Sequence, residues 1–261
     1  MTVKWTGSKK WVKPAFKEMD ECFEPFAGSA SISLTWANKV YLNDLCTPLT
    51  EMYKAMKVDK VGLIDDAEDI FNSIKNAADS KAKFYEVRNQ FNVNGGTHPA
   101  EFLAILYSGF NGLWRSGPNG CNVPYGGPRK FPTKYLLETP VDKIVSITNK
   151  TWQELTPPNE TCVVYADPPY ASTFTGFTAK GWSLSENVEL FDSLSKLPNP
   201  VIISCLKTDE NMKLLDERNF DYVSLTKLYS NGRSGSIKKE EILAFNDEGQ
   251  RYIKFRALKT S

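Results

Sequence analysis

The sequence predicts an α/β protein, a doubly wound sheet interrupted by a mostly helical insertion. Three patterns predict it. Residues 22–44 read as strand, turn, helix, strand and acid, the opening unit of such a sheet. Residues 54–107 then carry apolar residues at helical spacing, with no obvious strand. Strand patterns return near residue 145 and alternate with helical segments to residue 246.

Taken in order, "CFEPF" (22–26) is a short strand, "AGSAS" a tight turn and "ISLTWA" (32–37) the opening of a helix. "VYLND" (40–44) is the next strand and ends in an acid. "VGLIDDAEDIFNSIKNAA", "KAKFYEVRNQF" and "PAEFLAILYSGF" are the helices of the insertion. Residues 109–132 are dense in Gly and Pro, and so long a stretch without periodicity signals function or disorder. Its aromatics argue against disorder. "VSIT", "CVVYAD", "PVIISC", "YVSLTKLY" and "EILAFN" are the later strands, with helices at "SENVELFDSLSKL" and "DENMKLLDER". The expected division is a sheet domain of residues 1–53 and 145–261 around an insertion of 54–144, with a hairpin at 109–132.

Composition narrows the chemistry. Lys plus Arg number 32 against 31 Asp plus Glu, so the net charge of +1 neither requires nor excludes nucleic acid. Five scattered cysteines without a CxxC pair read as reduced thiols, not as a zinc site, and no metal is expected. His98 is the one histidine, at the entry to a helix, which disfavours mechanisms needing a histidine base. No apolar run of about 18 residues marks a membrane span. The N-terminus lacks an apolar signal core, so a cytoplasmic protein is expected.

Two turns carry candidate chemistry. At the first, Gly28 permits close backbone approach between a strand and a helix N-terminus. Asp44 ends the following strand, where an acid can accept hydrogen bonds from ribose hydroxyls. A single glycine does not make the three-glycine pyrophosphate fingerprint, which argues against NAD. A ribose-bearing cofactor without phosphate, such as S-adenosylmethionine, tolerates the looser turn.

At the second turn, a buried strand ends in Asp167-Pro168-Pro169-Tyr170. The prolines lack N–H groups and fix φ, and Pro169 biases Pro168 away from helical backbone. The corner therefore offers a carboxylate and the Pro168 carbonyl to one point without competing donors. Two such acceptors suit an –NH₂ group. They would bind both protons of an exocyclic base amine and free its lone pair to attack a methylsulfonium, while Tyr170 stacks on the base. Positioning and oriented acceptors then supply the catalysis. A strand-ending turn of Asp and Pro is the plain structural alternative.

Residues 109–134 interleave Phe110, Trp114 and Tyr125 with Arg115, Arg129, Lys130 and Lys134. Such a surface suits base edges, phosphates and the gap left by an extruded base. Arg115 could bind guanine O6 and N7, Phe110 could fill the stack and Asn111 could pair with an orphaned thymine. A hairpin whose aromatics pack on the insertion is the equal alternative. Lys9, Lys10 and Lys13, and Arg233, Lys238 and Lys239, form small basic groups of the kind usually found on solvated faces.

In order along the chain, "KWTGSK" (4–9), "FEPFAGSASISL", "NDLCTPLTEMY", "GFNGLWR" with "NVPYG", "DPPY", and "SNGRSGS" with "EEILAFN" resemble the motifs of the Dam-like N6-adenine DNA methyltransferases (D12 class). "DPPY" alone recurs in several amine-methylating families; the ordered set is far more specific. The resemblance implies a Rossmann-like S-adenosylmethionine-dependent methyltransferase sheet with a DNA-recognition insertion. It assigns Trp5, Gly7, Lys9, Pro25, Phe26, Gly28, Asp44 and Asp167 to the cofactor. Asp167, Pro168, Pro169 and Tyr170 become catalytic. Lys4, Phe110, Asn111, Leu113, Arg115, Asn122, Pro124, Arg129 and Lys130 become DNA-binding. Ala30 and Gly127 depart from it, standing where a glycine and an arginine are frequent. The expected protein is a monomer acting on double-stranded DNA in a bacterial or phage setting, with a GATC-like target. Alternatives are N4-cytosine or RNA amino-methylation, or an inactive DNA-binding relative.

Overall fold

The computed structural model describes residues 2–170, 182–231 and 235–254. The opening unit is realised as β1 (Met19–Glu24), α1 (Ser33–Trp36) and β2 (Ala37–Asn43). The helix after the glycine turn is only one turn long. Ile32 and Thr35 are β-branched, and Ala37 is already extended at φ −99° and ψ 152°.

Four helices follow β2: α2 (Thr47–Val58), which begins ahead of the expected insertion boundary at 54, α3 (Lys60–Lys75), α4 (Ser80–Val93) and α5 (Pro99–Ser108). Helix α2 adds to the expected set. Pro48 presets its first turn, and Leu49, Met52, Tyr53 and Met56 form its buried stripe. Asp59 and Asp79 cap α3 and α4 by accepting from the Gly62 and Ala82 amides. His98 is the N-cap residue of α5. Helix α5 buries Phe102 through Leu106 on every side and packs against α2, α3 and α4. The hairpin β3 (Ser116–Gly117) and β4 (Gly120–Cys121) and the short α6 (Thr133–Leu137) follow.

The chain then forms β5 (Ile144–Thr148), β6 (Val163–Ala166), α7 (Leu184–Ser195), β7 (Val201–Leu206), α8 (Asp209–Asp216), β8 (Asp221–Asn231) and β9 (Gly235–Phe245). Among the described residues seven strands make one sheet, in the order β5-β2-β1-β6-β7-β9-β8. All pairings from β5 to β7 are parallel, and β9 runs antiparallel to both its neighbours. This is the expected Rossmann-like α/β sheet. The order reverses between β1 and β6, so their carboxyl ends flank the crevice where open α/β sheets bind ligands.

One face of the sheet shares a continuous core with the helices of the insertion, from Leu49 and Phe71 to Phe102 and Leu136. The other face is covered by α7 and α8 through Leu190, Phe191, Leu194 and Leu215. Cys22, Cys121, Cys162 and Cys205 are buried free thiols. Among the described residues no helix is long and apolar enough to cross a membrane.

Candidate active site

Strand register builds the site. Phe23 pairs with Val164, so the turn after β1 and the corner after β6 leave the sheet side by side. Asn43 ties three strand ends together: its amide donates to the Pro25 and Lys150 carbonyls, and its oxygen accepts from the Thr148 hydroxyl and the Lys150 amide.

The glycine turn is held from several directions. Gly28 has φ +47°, and a Cβ there would lie 2.9 Å from Trp5 Cδ1. The Gly28 amide donates to Asp44 Oδ2 at 2.8 Å, and the Tyr53 hydroxyl donates to the Gly28 carbonyl. Ser8 and Ser29 join their hydroxyls at 2.8 Å. Ala30 also takes a left-handed backbone, φ 47°, a conformation that favours glycine. Trp5 lies across Gly28, while Gly7 is exposed with φ +83°. Phe26 meets Trp182 edge-on at 5.5 Å, and Pro25 is buried.

Asp44 accepts one amide on each oxygen, from Gly28 and Cys46. Burial pushes its carboxyl up, opposed by those two bonds. Each oxygen keeps a further lone pair, which a ribose hydroxyl can use.

The corner after β6 is charged. Lys9 Nζ lies 2.8 Å from Asp167 Oδ1, 3.7 Å from Glu241 Oε2 and 4.8 Å from the Tyr170 ring centroid. Lys9 and Glu241 are 5% and 2% exposed, whereas Asp167 keeps 19%, an open edge for a substrate. Burial pushes the Asp167 carboxyl up to about 6; Lys9 pulls it back and the Glu241 charge adds to the rise. Glu24, at the end of β1, accepts from the Ser33 amide, and burial pushes it up to about 8. Pro168 is buried, and Pro169 and Tyr170 are half-buried.

Lys9 therefore does not belong to a solvated basic group. Its neighbour Lys10 is also engaged, donating to the Thr2 carbonyl and the Tyr135 hydroxyl. Arg233 lies outside the described residues, as do the side chains of Lys238 and Lys239.

The recognition candidates separate into exposed and inward groups. Phe110 is 52% exposed at the tip, followed by exposed Asn111 with φ 53°. The Phe110 amide donates to the Pro124 carbonyl. Trp114 is a correction to the surface reading. It is 2% exposed and wedges against Phe102 and Phe91, because a large apolar ring next to α5 gains more from the core than from water. Tyr125 likewise packs on Phe84 and bonds Ser80. Arg115 braces the hairpin, donating to the Asn122 side chain at 2.6 Å and its carbonyl at 2.9 Å. Leu113 is half-buried, and Arg129 and Lys130 are exposed.

Lys4 lies over Gly112, where a Cβ would meet its methylenes at 2.6 Å, and its amide donates to Tyr107. Thr6 donates to the Gly112 carbonyl. One N-terminal segment thus touches both the glycine turn and the recognition tip.

Sequence reasoning overlooked Glu241, Tyr53, Trp182 and Glu24. The available signal was an acid adjoining an apolar strand, since "ILAF" after Glu241 is entirely buried.

The chain matches the model of the D12 class N6 adenine-specific DNA methyltransferases over residues 5–231. It is 28% identical to a DNA adenine methylase of Vibrio cholerae, over 93% of this chain and 94% of that protein. A Haemophilus influenzae DNA adenine methylase is 27% identical over 93% and 92%. The retron Ec67 DNA adenine methylase of Escherichia coli is 27% identical over 93% and 90%.

Proposed function

This chain belongs to the D12 class N6 adenine-specific DNA methyltransferase family, and from that premise we propose that it methylates N6 of an adenine swung out of duplex DNA, in a GATC-like site, with S-adenosylmethionine as donor. The observation that carries the reading is the adjacency of the Gly28 turn and the Asp167 corner at the switch point between β1 and β6. The residues present fit the donor. Asp44 retains acceptor capacity for ribose hydroxyls, and the local excess of carboxylate over ammonium suits a cation. Trp5, Gly7, Pro25, Phe26 and Gly28 would form the remainder of its cup.

When bound, S-adenosylmethionine supplies an electrophilic methyl on a cationic sulfur that departs as a neutral thioether. Asp167 and the Pro168 carbonyl accept the two protons of the amine and hold its lone pair toward that methyl. The N–C bond forms as the C–S bond breaks. The methylated nitrogen then releases one proton, which Asp167 can take. Tyr170 stacks on the base, and Phe110 fills the gap that the base leaves.

Treated duplex DNA should yield N6-methyladenine on nucleoside analysis; N4-methylcytosine in its place would reject the reading. Asp167 must be ionised to accept, so kcat/KM should rise with pH through about 6 and lose one proton's worth of activity below it. A flat profile from pH 5 to 8 would remove Asp167 from that role.

Arg115→Ala should relax sequence choice by about 1–3 kcal/mol, more than it weakens nonspecific binding. Asn122→Ala, which removes the side-chain half of the brace but keeps the guanidinium and its bond to the residue 122 carbonyl, separates hairpin support from base reading. Equal loss on every sequence would assign Arg115 to a phosphate.

A further inference from the structure

We propose that Glu241 is a positioning residue for the transfer: together with Asp167 it forms a two-carboxylate seat for Lys9, and it takes the ammonium when Asp167 turns its oxygen to the incoming amine. This inference rests on the functional reading above and deepens it.

Three observations carry it. First, the Lys9 ammonium already holds one oxygen of the carboxylate that the substrate amine needs. Its contact with Asp167 Oδ1 is 2.8 Å, so an amine arriving at Asp167 competes with it for the same negative charge. Second, the ammonium has somewhere to go. Glu241 Oε2 is 3.7 Å away, and a shift of about 1 Å would bring it to charge-assisted bonding distance. The Gly7 carbonyl accepts from Lys9 at 3.3 Å and tethers the pivot. Third, the location of Glu241 follows from topology. Because β9 is antiparallel, Glu241 pairs with Leu206, the last residue of β7, at the same edge as the Asp167 corner. A carboxylate that is 2% exposed beside the buried apolar stretch Ile242–Phe245 needs compensation, and among the described residues Lys9 stands at its side.

The charge count explains why a second carboxylate is useful. Lys9 with Asp167 alone makes a tight neutral pair that draws charge from the acceptor. With Glu241 the ammonium is shared, so Asp167 can release it without stranding a buried charge.

The groups facing Asp167 are Lys9 from the N-terminal segment, Glu241 on β9, Ser204 and Cys205 on β7, Tyr165 on β6, Tyr170 beyond it and Glu24 on β1. Removing the Glu241 charge takes away one upward influence on Asp167 and leaves burial opposed by Lys9. The Asp167 titration then moves to lower pH.

The test is Glu241→Gln and Glu241→Asp, assayed on a duplex that the wild-type protein methylates, over a range of about pH 5 to 9. Glu241→Gln should lower plateau kcat about tenfold or more, leave the donor KM within about twofold, and shift the acid limb to lower pH. Loss of packing alone would lower kcat without moving the limb. Glu241→Asp retains the charge and should keep the limb near that of the wild type with a smaller loss of kcat; it also serves if the Gln variant does not fold. A raised donor KM with kcat and limb unchanged in Glu241→Gln would overturn the proposal and assign Glu241 to the cofactor. Unchanged kcat in both variants would overturn it as well. ¹³C-carboxyl NMR titration, with the Asp167 signal assigned through Asp167→Ala, reads the same shift without turnover. A wild-type protein that leaves no N6-methyladenine would reject the functional reading alone, and the carboxyl titration would still decide the Lys9 seat.

Discussion

Asp167→Ala is expected to remove methyl transfer, lowering kcat by about a thousandfold or more, while the donor still binds. One oriented polar partner of a transition state is worth about 10²–10³ in rate, and Asp167 serves both as acceptor and as the base for the released proton. The fold should tolerate the change. Lys9 retains Glu241 at 3.7 Å and the Gly7 carbonyl, so no buried ammonium is orphaned. Single-turnover methylation together with calorimetric titration of the donor separates the two effects. A variant that neither folds nor binds donor would mean that the corner is a structural turn.

Gly28→Ala should act in the opposite sense, on the cofactor first. The residue holds φ +47°, a region that costs an L-residue about 1–2 kcal/mol. Part of this is offset by the stiffer unfolded chain, about 0.4–1 kcal/mol. The net loss of about 1 kcal/mol corresponds to a fall of about 2–4 °C in Tm. The larger effect is steric. The new methyl would stand 2.9 Å from Trp5 Cδ1 and 3.1 Å from its Nε1, so the indole must move. Since Trp5 walls the proposed cofactor cup, donor Kd should rise about tenfold, the equivalent of 1.4 kcal/mol. Donor affinity equal to that of the wild type would take Trp5 and Gly28 out of the cup.

Much of the candidate site was legible because its turns are local chemistry. Two consecutive prolines after a buried strand allow few backbones, whatever surrounds them, and a glycine between a strand and a helix announces a turn. The same logic found the sheet strands to within a few residues. It missed α2, whose buried stripe begins inside the segment "NDLCTPLTEMY", quoted only as a motif. It overestimated the helix after Gly28, where β2 begins at Ala37 and cuts the helix short. It left Trp114 undecided between surface and packed readings, because an aromatic next to an arginine reads the same whether it faces DNA or a core. Only the packing of Phe102 and Phe91 distinguishes the two.

By itself, then, the sequence determined which turns carry acceptors, which strands precede them and which tip is dense in aromatic and basic residues, since each depends on neighbours within about ten positions. The tertiary structure decided what those turns face. Strand order brought the β1 and β6 ends together from residues 141 apart in the chain, as Phe23 and Val164 are. The reversed direction of β9 delivered Glu241 to the same edge, and the N-terminal segment laid Lys9 between two carboxylates. Such contacts form only when distant segments fold onto one another, and pairing at long range leaves no periodicity for a local reading to find.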